Sequence, residues 1–113
     1  MIDQVRPADL RAWLDSVRNI GEPLVLDVRE PHELAIASVK ADGFPLVTIP
    51  MGTLVARLAE LDPARPIACL CHHGGRSMQV AHFLASRGFD TVANIAGGID
   101  AWSIEVDPSI ARY

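Results

Sequence analysis

Alternation of helical and extended segments predicts an α/β fold built on a parallel sheet, and three observations carry that expectation. Short apolar runs rich in β-branched residues, among them Leu24-Val25-Leu26-Asp27-Val28 and Val92-Ala93-Asn94-Ile95, read as strands buried on both faces. Segments with helical spacing separate those runs, so the connections are right-handed βαβ crossovers with helices covering both faces of the sheet. A chain of 113 residues, 50% of them apolar, has the size and composition to bury a core without staples, which gives one domain over residues 1–113.

Leu10, Trp13, Leu14 and Val17 follow Pro7 at i, i+3, i+4, i+7 spacing and predict an amphipathic helix closed by Asn19 and Gly21. Pro23 introduces the first strand, and Pro31 to Ile36 form a short helix. Val47-Thr48-Ile49 before Pro50 is a further strand, and Leu54, Leu58 and Leu61 give the apolar side of a helix that Asp62-Pro63 ends. Pro66 to Cys71 is a continuous apolar strand running into His72-His73-Gly74-Gly75. From Arg76, a helix with Val80, Phe83 and Leu84 on its apolar side runs to Arg87 and stops at Gly88. After the last strand, Gly97-Gly98 precedes a helical turn over Ile99 to Trp102. The tail from Ser103 to Tyr113 shows no period and is expected to wrap the surface.

Several function classes fall away on charge and composition. The net charge is −4 and Lys40 is the only lysine, so no basic run exists to neutralise phosphates and no nucleic-acid partner is expected. The uncharged stretch from Gly43 to Ala56 is shorter than the roughly 20 apolar residues of a membrane span and holds Pro45 and Pro50, so no membrane association is expected. No signal peptide is readable, which makes the cytoplasm the expected compartment. Cys69 and Cys71 are separated by one residue, an awkward geometry for a mutual disulfide, and reduced thiols are expected. No cofactor is expected, and the chain is expected to be a monomer.

Ligands of such sheets bind outside the carboxyl ends of the strands, and Cys71 stands at one of those ends, where a strand passes into a helix. Gly74-Gly75-Arg76-Ser77 has the composition to curl its N–H groups inward at the positive end of the helix dipole, beside a guanidinium. That field attracts an anion and stabilises a thiolate, which points to Cys71 as a nucleophile. The alternative is a small buried hydrophobe ending a strand, and Cys69, inside the apolar run, is assigned that role.

Cys71-His72-His73-Gly74-Gly75-Arg76-Ser77 resembles the active-site loop of rhodanese-type sulfurtransferases. Two flanking blocks agree in order and spacing: Asp27-Val28-Arg29 with Glu33, and Asn94-Ile95-Ala96-Gly97-Gly98-Ile99-Asp100-Ala101-Trp102. The resemblance covers nearly the whole chain. It implies a three-layer α/β/α fold with a five-stranded parallel sheet, and a ping-pong reaction in which Cys71 takes sulfane sulfur and becomes a persulfide. It further implies that amides of His72, His73, Gly74, Gly75, Arg76 and Ser77 cradle the sulfur while Arg76 orients an anionic donor such as thiosulfate. The partners would be a small sulfur donor and a thiophilic acceptor, with a protein donor or acceptor as a variant. A sulfur-delivery or sulfide-signalling module with little turnover on small donors is the alternative.

Ring size separates this reading from the related cysteine phosphatases, which place five residues between Cys and Arg. Only His72, His73, Gly74 and Gly75 intervene here, and the smaller ring favours sulfur over phosphate. The chain departs from the family pattern over Ala37 to Asp42, with Gly43 to Leu46 inserted, a segment that normally lies near the active-site face.

Other residues carry simpler expectations. His72 and His73 lack the second ligand pair of a structural zinc site, and neither His32 nor His82 supplies one, so no metal is expected and the adjacent pair shapes the rim. Asp27 and Arg29 support the site from a strand end, Arg29 as a clasp with Asp27 or Glu33. Glu30 and Glu33 as a general-acid pair would require a water-activating geometry that the spacing does not imply. Trp13 and Trp102 are packing anchors.

Overall fold

The computed structural model describes residues 2–113 and contains a five-stranded, wholly parallel sheet. In chain order the elements are β1 (Asp3–Val5), α1 (Leu10–Val17), β2 (Leu24–Asp27), α2 (Pro31–Ile36), β3 (Leu46–Thr48), β4 (Ile67–Leu70), α3 (Gly75–Ser86), β5 (Val92–Ile95) and α4 (Gly98–Glu105). The spatial order is β1-β5-β4-β2-β3, which places β4 in the centre and Cys71 at its carboxyl end.

The pleat divides the strand side chains between two cores. Leu24, Leu26, Ile67, Cys69 and Cys71 face α3, where Val80, Ala81 and Leu84 cover them. Val25, Ala68, Leu70, Ala93 and Ile95 face the opposite layer, which Leu10, Leu14, Ile99 and Trp102 complete. Strands β2, β4 and β5 are buried throughout, in accord with their continuous apolar sequences. Helix α3 stops as the sequence predicts: Gly88 takes φ +89°, and the Phe89 N–H reaches back to the Leu84 carbonyl at 3.2 Å.

Three segments differ from expectation. Met51 to Leu61 is not an α-helix but two 3-10 turns, Met51–Thr53 and Leu58–Glu60, although Leu54 and Leu61 are buried as their spacing requires. Gly52 and the β-branched Thr53 and Val55 weaken helix propagation between the prolines that bound the segment. β1 has a single inward residue, Val5, so no local period betrays it; it exists because β5 offers an edge to pair with. The tail does not simply follow the surface: Ile110 enters the core, the Ser103 hydroxyl donates to its carbonyl, and Tyr113 returns to the Cys71 loop.

The divergent stretch from Ala37 to Leu46 packs on the α1 and α4 layer. Ala37 and Val39 are buried there, and Phe44 lies against Trp102 with ring centroids 6.2 Å apart.

Candidate active site

Strand β4 delivers Cys71 to the floor of a loop that closes into α3. The Cys71 residue is 1% exposed, and its Sγ accepts from the Gly74 N–H at 3.0 Å and lies 3.2 Å from Ser77 Oγ. Gly74 precedes the helix at φ +107°, a conformation that turns its N–H back onto the sulfur and that side chains with a Cβ rarely adopt. The first helical N–H groups, those of Gly75, Arg76 and Ser77, have no carbonyl within α3 to bond and carry the positive end of its dipole.

The loop rests on the start of α4. The Ile99 N–H donates to the Cys71 carbonyl at 2.9 Å, and the Asp100 N–H donates to the His72 carbonyl at 3.1 Å. Gly98 sits directly under these carbonyls at φ +62°, and a Cβ there would overlap both oxygens. Gly98→Ala is therefore expected to displace the loop and cost at least about 2 kcal/mol, because the strained φ and the overlap act together. Thermal unfolding of the variant checks this; a Tm within a degree of wild type would contradict it.

Arg76 does not stand free. Its two Nη atoms grip both Glu33 oxygens at 2.6 and 2.7 Å, tying α3 to α2. The Arg76 guanidinium holds the Glu33 carboxyl down at about 2, against the opposing effect of burial, with the Glu30 N–H and the Tyr113 hydroxyl assisting. Glu33 is thus ionised at neutral pH and is no general acid. The lowered value carries a sign: stability from this pair is complete above the ordinary value of 4.5 and is lost as pH falls from there towards 2. Glu33→Gln is expected to lose about 2 to 3 kcal/mol at neutral pH and to flatten the stability profile between pH 5 and 2. Denaturant titrations across that range provide the check, and an acid limb of unchanged slope would contradict the assignment.

Behind this pair lies a second one. Arg29, wholly buried, meets both oxygens of Asp27, with Nη2 at 2.8 Å, and its Nη1 donates to the Tyr113 hydroxyl at 3.0 Å. Of the two clasps the sequence left open for Arg29, the side-chain pair is with Asp27; Glu33 contributes its main-chain carbonyl at 3.4 Å.

His72 and His73 form the rim. The His72 ring is stacked between His73 and Tyr113, each with ring centroids 3.8 Å away, and burial with the neighbouring His73 pulls its pKa down, so it is neutral at pH 7. Donor atoms of His72, His73 and Asp100 lie within 4.8 Å of one another, the one candidate metal-ligand group among the described residues. The two imidazoles are stacked, and Asp100 is already engaged by Arg112 at 2.9 Å.

Every loop residue singled out in the sequence, from Cys71 to Ser77, is in this site. Four further contributors were not: Glu33 as the partner of Arg76, Tyr113 from the tail, and Asn94 with Gln4 behind Ser77. Asn94 heads the block that runs to Trp102, but with no role assigned to it; the further signal it left is that of a polar residue inside an apolar strand.

A parallel α/β sheet with a cysteine at the central strand end, in a loop that closes onto a helix N-terminus, defines a class of fold and site. Within that class the chain belongs to the rhodanese-like domain family, whose model matches residues 7–105. It is 40% identical to a rhodanese-like/PpiC domain-containing chloroplastic protein of Arabidopsis thaliana, over 99% of this chain and 38% of that one. It is 35% identical to the thiosulfate sulfurtransferase GlpE of Actinobacillus pleuropneumoniae, over 81% of this chain and 80% of that one. A crystal structure of a rhodanese-related protein from Thermoplasma volcanium superposes with a TM-score of 0.75 at 29% identity, covering 98% of this chain and 99% of that one. The chain thus spans well under half of the Arabidopsis relative. No helix among the described residues is long and apolar enough to cross a membrane.

Proposed function

We propose that this protein is a sulfurtransferase in which Cys71 carries sulfane sulfur as a persulfide. The observation that carries the reading is the Cys71 sulfur held at the N-terminus of α3 by the Gly74 N–H, at the carboxyl end of the central strand. The Cys71 thiolate attacks the outer sulfur of a donor such as thiosulfate or a persulfide. The donor's S–S bond breaks, and sulfite or a thiolate leaves with the electron pair. A thiophilic acceptor, cyanide or a thiol, then attacks the terminal sulfur and Cys71 departs as thiolate, with no net redox change. The amides from His72 to Ser77 cradle the anionic terminal sulfur, which backbone donors bind without a proton.

Because Glu33 shares the Arg76 charge, an anionic donor competes with that carboxylate for the guanidinium. Asp27 and Arg29 support the loop from below. Both cysteines are free thiols, which suits the reducing cytoplasm in which we place this chemistry. The alternative of a sulfur-delivery module acting on a protein partner draws support from the Arabidopsis relative, where the matched segment is 38% of a longer chain.

Thiocyanate formation from thiosulfate and cyanide, and sulfur transfer from a persulfide donor to a thiol acceptor, test the proposal. Turnover that depends on Cys71 with either pair supports it. Turnover undiminished in Cys71→Ser overturns it, and Cys71 loading without turnover on small acceptors favours the delivery module.

A further inference from the structure

Asn94 is a buried amide, 3% exposed, in a strand whose other residues are apolar, and the reaction just described does not use it. Register sets it between Cys69 of β4 and Gln4 of β1. Its Nδ2 donates to Gln4 Oε1 at 3.0 Å and to the Gly74 main-chain carbonyl at 3.3 Å. A main-chain carbonyl only accepts, so the amide has one orientation, with Nδ2 towards Gly74 and Oδ1 towards Ser77. Oδ1 there accepts from the Ser77 hydroxyl. That hydroxyl is wholly buried, has a single hydrogen and also lies 3.2 Å from the Cys71 sulfur.

We infer that Asn94 is a positioning residue for Cys71 that acts through Ser77: its Oδ1 claims the hydroxyl hydrogen, so that the Ser77 oxygen is left to accept the S–H of the resting thiol. The chain of bonds then runs in one direction, from Cys71 to Ser77 to Asn94. When the thiol ionises, Ser77 must swing its hydrogen from Asn94 to the sulfur, or the thiolate keeps the Gly74 N–H as its donor. Either way ionisation forfeits one hydrogen bond among groups that are buried from water. In the persulfide the inner sulfur has no proton and the charge lies on the outer one, so Ser77 stays with Asn94. The pair thus engages the resting thiol through its S–H and leaves stabilisation of the reacting anion to main-chain donors.

Cys69 on β4 and Arg76 on α3 interact electrostatically with Cys71, with Glu33 of α2 behind Arg76; Asp27 and Arg29 at the end of β2, His72 and His73 in the loop, Asp100 on α4 and Tyr113 of the tail are the other titratable and charged groups of the elements packed there. None of them is a hydrogen-bond partner of Asn94. The inference rests on Cys71 being the reacting group and does not require that sulfur be what it carries.

The test is the pH–rate profile of alkylation by iodoacetamide, with the modified residue located by peptide mass. Asn94→Leu removes the acceptor and frees Ser77 to donate to the thiolate. Its profile is expected to shift to lower pH, with alkylation about tenfold faster below the wild-type midpoint, the scale of one hydrogen bond to a charged group. In a Ser77→Ala background the same substitution is expected to leave the profile unmoved, because the path runs through Ser77. An Asn94→Leu profile superimposable on wild type overturns the inference, as does a shift that persists without the Ser77 hydroxyl, which would mark Asn94 as merely structural. Should Asn94→Leu misfold, Asn94→Ala removes the same acceptor without steric demand and decides by the same criteria. Profiles that move as expected in a protein that accepts no sulfur would overturn the sulfur-carrier reading while supporting this one.

Discussion

Cys71→Ser is expected to reduce sulfur transfer by at least about a thousandfold, the scale of removing a nucleophile, while leaving the fold in place. A serine hydroxyl ionises far outside the accessible pH range and forms no stable sulfur adduct, so the first half of the reaction has no carrier. The swap is nearly isosteric at a 1%-exposed position, and the Gly74 N–H and the Ser77 hydroxyl remain as partners for the new oxygen. Stability is therefore expected to change by no more than about 1 to 2 kcal/mol. Steady-state transfer assays and denaturant unfolding on the same preparation check both halves. Loss of activity together with gross unfolding would leave the nucleophile's role to be decided by Cys71 loading in the wild-type protein.

The largest expected stability effect belongs to Arg29. Replacing it by Met leaves the Asp27 carboxylate, 1% exposed, without its partner in the floor of the site. Breaking such a pair from one side costs about 3 to 5 kcal/mol, which for a domain of this size lowers Tm by about 15 °C. Removing both charges with Asp27→Leu and Arg29→Met is expected to recover much of that loss, because the penalty lies in the stranded charge rather than in the missing attraction. The Tyr113 hydroxyl loses a donor in either variant and the tail loosens with it. A single variant with unchanged Tm would contradict the burial argument.

The contrast between what the sequence disclosed and what it withheld follows from distance along the chain. The loop from Cys71 to Ser77 and the block from Asn94 to Trp102 are contiguous, so their turn chemistry and their relation to a strand end were readable residue by residue. Even the double glycine was visible, though not its reason, which is that the Cys71 and His72 carbonyls lie against Gly98. The grip of Arg76 on Glu33 spans 43 positions, and the stack of Tyr113 on His72 joins the tail to the loop. No local pattern marks either, because each depends on how the sheet brings α2, α3 and the tail to one end.

Distance along the chain is not what separates sequence from structure over Met51 to Leu61, where two 3-10 turns stand in place of a helix. Leu54, Leu58 and Leu61 have helical spacing, yet spacing reports which residues turn inward, and a pair of 3-10 turns buries Leu54 and Leu61 equally well. β1 has no signature in the sequence because three residues with one inward side chain have no period; it forms because β5 offers an edge to pair with. The departure from the family pattern between Ala37 and Leu46 is accommodated in the α1 and α4 layer, where Val39 and Phe44 find apolar partners.

Intact mass of the protein before and after exposure to thiosulfate or a small persulfide, with Cys71→Ser alongside, tests the central claim most directly. The account predicts a gain of one sulfur atom on the peptide that contains Cys71, absent from the variant and discharged by cyanide as thiocyanate. No gain with any donor, a gain on Cys69, or an equal gain in Cys71→Ser would contradict it.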